Sequence, residues 1–176
     1  HPGEPDGINA CLIWLDQWIR AGKPLKSRNG QDDLPVIAFI PAYNVGGMYN
    51  RSSTSRANQN GPEAYGFRGS AKNLDLNRDF MKADAAETRS LIRAIEWVNP
   101  LVLIDNHVSN GADYQHVMTL LTSQYSKLGG SMGTYLHETF EPALYAAMKT
   151  KGYDLIPYVN IGGDKPEKGW NEFWDS

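Results

Sequence analysis

The chain has 176 residues, 41% hydrophobic and 21% charged, a length and balance that suit one globular domain with a single core. Its formal net charge of −3 lacks the basic footprint of nucleic-acid binding, and no apolar run approaches the ~18 residues of a membrane span, so neither nucleic acid nor membrane is expected as a partner. The one cysteine, Cys11, cannot close an intrachain disulfide and reads as a small packed hydrophobe.

Pro5 suits a first helical position, where its missing N–H costs nothing. Ile8, Cys11, Leu12, Leu15, Trp18 and Ile19 follow at helical spacing, which predicts a helix from Pro5 to Ala21, ended by Gly22 and Pro24. Val36–Ile40 is a continuous apolar run stopped by Pro41, the pattern of a strand buried on both faces. From Asn44 to Asn73, about thirty residues rich in Gly, Asn, Ser and Arg read as a structureless connection long enough to be functional or mobile. Thr88–Val98 carries Leu91, Ile92 and Ile95 on one side and predicts a helix broken by Asn99-Pro100. Leu101–Ile104 then reads as a second buried strand, Gln115–Leu121 as another, and Met132 to Met148 as a long helical stretch that Pro142 kinks or restarts. This alternation predicts an α/β domain with helices on both faces of a sheet. Ligands in such sheets collect beyond strand ends, where Asp105-Asn106-His107 falls.

Two groups of residues carry chemistry. A hydrolytic zinc takes three protein ligands from His and carboxylate and keeps one position open. His1 and Glu4, three residues apart, can point at one ion, with His107 from a distant segment as the third ligand. Beside this stands Asn77-Arg78. Arginine presents a planar fork of donors that grips a carboxylate, and the Asn amide adds another donor; a free peptide C-terminus needs such a clamp. Asp75 can take the free N–H of a metal-bound His and fix its tautomer, and Arg68 can stabilise a developing oxyanion. The plain alternative makes Arg68 and Arg78 solvated partners of Asp75 and Asp79, in surface pairs worth little.

His1-Pro2-Gly3-Glu4, Arg68, Asp75-Leu76-Asn77-Arg78-Asp79 and Asp105-Asn106-His107 together resemble, in order and type, the zinc metallocarboxypeptidases, or funnelins, over residues 1 to about 120. The resemblance implies a three-layer α/β/α fold with a mixed, mainly parallel sheet. It also implies Zn2+ held by His1, Glu4 and His107, carboxylate binding by Asn77 and Arg78, carbonyl polarisation by Arg68, and Asp75 as the partner of His1. The implied reaction is hydrolysis of C-terminal residues from peptides by water activated at the ion. The substrate is a peptide or N-acyl amino acid with a free C-terminal carboxylate; the alternatives are a deacylase of N-acyl amino acids and a noncatalytic metal- or peptide-binding relative. The family's general-base Glu lies on a late strand. Glu138, Glu141, Glu167 and Glu172 lack that context, so the base is expected outside this segment and the chain is expected to be part of a larger catalytic domain. The sequence leaves compartment, side-chain preference and oligomeric state open, with export slightly favoured.

Overall fold

The computed structural model of the chain describes residues 1–22, 37–56, 62–110 and 115–158. Pro24, Val36, Glu167 and Glu172 lie outside the described residues. Contacts divide the chain into two compact units, His1–Ser109 and Asn110–Ser176.

In the first unit, helix α1 runs over Pro5–Arg20 with proline in its first turn, Asp6 at its N-terminal end and Arg20 at its C-terminal end. Each of those charges complements the helix dipole, and Arg20 bonds back to Asp16 at 2.7 Å. Ile8, Cys11, Leu15 and Trp18 form a half-buried stripe, whereas Leu12 and Ile19 of the predicted face are exposed. Trp14 lies between the rings of Trp18 and Phe39, at 4.9 and 5.6 Å.

The segment expected to be structureless is organised. Asn44 accepts a hydrogen bond from the Gly47 amide at 2.9 Å and caps the short helix α2, Val45–Tyr49, using the side-chain oxygen that makes Asn a good N-cap. Strand β1, Arg51–Ser52, then pairs antiparallel with β2, Tyr65–Gly66. The Tyr65 hydroxyl ties this hairpin to the Ser53 carbonyl at 2.9 Å.

A 3-10 turn over Leu76–Arg78 follows, capped by Asp75, and leads to helix α3, Ala86–Val98. Leu91, Ile92 and Ile95 are half-buried on the predicted face. Asp79 accepts from the Asp84 and Ala85 amides at 3.0 and 2.9 Å, which satisfies donors at the entry to α3 that no helix can satisfy itself. The Thr88 hydroxyl and these amides hold the Asp79 carboxyl below its ordinary range. Thr88 is fully buried and accepts from the Tyr43 hydroxyl at 3.0 Å. Asn99 ends α3 in the left-handed conformation, φ 48°, which Asn tolerates better than most residues.

The two expected central strands differ from expectation. Residues 37–40 and 101–104 belong to no ladder among the described residues, and Leu101, Val102, Leu103 and Ile104 are all exposed. A strand buried on both faces needs neighbours along both edges and layers above and below, and neither segment pairs along an edge with any described residue.

The second unit is a parallel pair joined by helices. Strand β3, Met118–Leu120, is shorter than the predicted Gln115–Leu121 and pairs with β4, Leu155–Pro157, in register from Met118↔Leu155 to Leu120↔Pro157. A parallel pair requires a crossover. It is made by α4 (Tyr125–Leu128), α5 (Gly130–Tyr135), a π-helical turn (Leu136–Phe140) and α6 (Glu141–Thr150). Pro142 sits in the first turn of α6. Its ring would collide with the carbonyl four residues back in a regular helix, and the wider turn just ahead of it removes that collision. Glu141 accepts from Thr122, and the ring of His137 stacks on Tyr125 at 4.3 Å.

Candidate metal centre

The first four residues fold into a tight turn in which the Glu4 amide donates to the His1 carbonyl at 3.1 Å. Gly3 sits at φ +152°, and a Cβ there would lie 2.6 Å from Arg56 Cγ and 3.0 Å from the Gly66 carbonyl. Only glycine fits on both counts. A second close approach brings in the distant segment: a Cβ on Gly7 would stand 2.4 Å from the Cβ of Asn106, so the first turn of α1 lies directly against the residues flanking His107.

Three side chains converge as a result. His1 Nδ1 stands 3.0 Å from Glu4 Oε1, and His107 Nδ1 stands 3.0 Å from Glu4 Oε2. The two imidazole centroids are 4.9 Å apart, and one ligand atom from each of the three residues lies within 4.8 Å of the others. Ligand atoms roughly 2.1 Å from a tetrahedral ion are roughly 3.4 Å apart, against separations of up to 4.8 Å here. Two imidazoles and one carboxylate match zinc in type.

Each of the three side chains has a carboxylate or a cation beside it. His107 Nε2 bonds Asp105 Oδ2 at 3.0 Å. His1 Nε2 faces Asp75 Oδ1 at 3.5 Å, an ion-pair distance without hydrogen-bond geometry. Arg56 Nη2 donates to Glu4 Oε1 at 2.7 Å, and the Val108 amide donates to Oε2 at 3.2 Å. Burial pushes the Glu4 carboxyl up, but His107, Arg56 and the Val108 amide outweigh it and hold the group at about 2. The bonds to Asp105 and then Glu4 raise His107 to about 9 against the opposing effect of burial. An imidazole raised this far carries a proton on both ring nitrogens at neutral pH.

Of the residues singled out in the sequence, His1, Glu4, His107 and Asp75 come together, and Arg68 joins them through its Nε bond to Asp75 Oδ2 at 2.8 Å. Asn44 Nδ2 anchors the Arg68 carbonyl at 3.2 Å. Arg68, Arg56, Phe67 and Asp75 line a cleft of about 340 Å³. Asn77 and Arg78 lie on the turn that Asp75 caps, but neither side chain bonds to His1, Glu4 or His107. Arg78 is exposed, and its Nη1 donates to the Asn77 carbonyl at 3.1 Å. Asp79 is a buried capping group rather than a surface partner for arginine. Glu138 and Glu141 lie on helical backbone, as the sequence suggests.

Two participants escape a reading of the sequence. Asp105 had a signal, since a carboxylate two residues from a ligand His is a natural partner for its other nitrogen. Arg56 had little beyond its place in the Ser- and Arg-rich loop. Compared with protein-family models, curated proteins and solved structures, the chain finds no match in any of the three.

Proposed function

We propose that His1, Glu4 and His107 hold a zinc ion, and that the chain forms the metal- and carboxylate-binding part of a hydrolase that removes C-terminal residues from peptides or splits N-acyl amino acids. The observation that carries this reading is the convergence of the three side chains, one of them 103 residues away from Glu4 along the chain. When bound, zinc polarises a carbonyl and acidifies water. In this reading, Asp75 and Asp105 fix the two imidazoles so that each offers its Nδ1, and Arg68 uses its remaining guanidinium donors on the substrate oxygen at the edge of the cleft. Asn77 and Arg78 grip the terminal carboxylate, and the proton acceptor is a Glu outside this segment. The reading carries with it a three-layer α/β/α fold with a mixed, mainly parallel sheet, and the parallel β3–β4 pair across a helical crossover is the local pairing such a sheet uses.

Zinc uptake and peptide binding on the same chain test the proposal. One equivalent of zinc is expected, with His107→Ala weakening binding at least about 100-fold through loss of a direct ligand. Peptides with a free C-terminal carboxylate are expected to bind more tightly than their C-terminal amides, and Arg78→Ala should abolish that preference. Failure to take up zinc removes the metal assignment, and equal binding of acid and amide removes the clamp.

A further inference from the structure

The one described guanidinium bonded to Glu4, beside the two imidazoles, is that of Arg56. Its side chain is 3% exposed and that of Glu4 is 2% exposed, and its stem fills the space that the missing Cβ of Gly3 leaves open. Its Nη1 is buried and has no hydrogen-bond partner among the described residues. An arginine kept only for stability is a poor choice at such a place, because an unmatched buried donor is costly and a well-packed apolar side chain often serves as well.

The bonding around Glu4 shows what such a group accomplishes. The carboxylate is held by His1 and His107 through their Nδ1 atoms, by Arg56 and by the Val108 amide. An Nδ1 that gave its lone pair to a cation could not also donate a proton to Glu4. Arg56 and the Val108 amide would then be the contacts left to hold the carboxylate. We propose that Arg56 is a positioning residue for Glu4, clamping one carboxylate oxygen so that the ligand meets the cation with its orientation already fixed. This inference rests on the zinc reading above.

Zinc affinity of the full chain, read by competition with a chromophoric chelator beside the zinc-free melting temperature, tests it. Arg56→Gln is expected to bind zinc about 10- to 100-fold more weakly than the parent, the usual effect of losing a group that orients a metal ligand. Arg56→Lys keeps the charge on a single-point donor and should recover part of that loss. Tyr65→Phe removes the bond to Ser53 in the same hairpin; it should lower the melting temperature and leave zinc affinity as in the parent. If Arg56→Gln does not fold, weaker zinc binding by Arg56→Lys with none by Tyr65→Phe still supports the proposal. Parent-like affinity in Arg56→Lys and in any folded Arg56→Gln overturns it and leaves the zinc reading standing, as does an equal loss in Tyr65→Phe. A parent chain that takes up no zinc overturns both.

Discussion

His107 has a carboxylate on each ring nitrogen, Glu4 on one and Asp105 on the other, and this arrangement sets how the metal-free chain responds to pH. Its imidazole is raised from 6.5 to about 9, so its contribution to stability is complete below about 6.5 and is lost as pH rises through about 9. Glu4 is lowered from 4.5 to about 2, so its contribution is complete above about 4.5 and is lost as pH falls through about 2. Thermal melts in chelator should therefore fall at alkaline pH, and His107→Gln should lack that alkaline fall. Zinc competes with a proton for Nδ1, so zinc affinity of the parent should rise about tenfold per pH unit until pH reaches about 9. An affinity that is flat between pH 6 and 8 contradicts the coupling. At this scale the sequence is informative where chemistry is local. His1 and Glu4 are readable because three residues separate them, and Asp75 because it stands beside a recognisable Asn-Arg pair. Arg56 is not, since a buried arginine in a polar loop has the same sequence signature as a solvated one.

Among the elements, α1 and α3 each make a contact that a single substitution can break. Gly7→Ala adds helix propensity worth about 1 kcal/mol to α1, yet it drives a Cβ to 2.4 Å from that of Asn106. Steric overlap of this kind typically costs about 1–3 kcal/mol. The variant should melt lower and bind zinc more weakly, and adding Asn106→Gly, which removes the opposing carbon, should restore part of both. At α3, Thr88→Val keeps the shape of a fully buried side chain and leaves the Tyr43 hydroxyl without its acceptor. An unmet buried group costs about 1–3 kcal/mol, and pairing the change with Tyr43→Phe in a double-mutant cycle should recover some of it. Both helices are evident from apolar spacing and from Pro5 and Asn99, which mark where helices begin and end. The hairpin of β1 and β2 escapes the same reading, because two-residue strands carry no periodicity. Leu101–Ile104 fails for another reason: an apolar run reports a tendency to be buried but names no neighbour to bury it.

Over the whole molecule, that run is a liability for the chain in isolation. Leu101 and Ile104 are 102% and 76% exposed, and Ile37, Phe39, Ile40 and Trp97 are also exposed. A surface of this kind attracts copies of itself and binds hydrophobic dyes. The isolated chain is expected to elute above its monomer mass in a concentration-dependent way, and Val102→Lys with Ile104→Lys should shift it toward the monomer on light scattering. A concentration-independent monomer contradicts this. The same long-range architecture gives the proposed zinc a mechanical part to play. Its ligands sit at the start of the chain and at position 107, so an ion joining them closes most of the first unit into a single ring, like a disulfide that chelation can undo. An ion that binds the folded unit and not the unfolded chain would add to its stability by mass action, so chelation is expected to lower the melting temperature of the first unit.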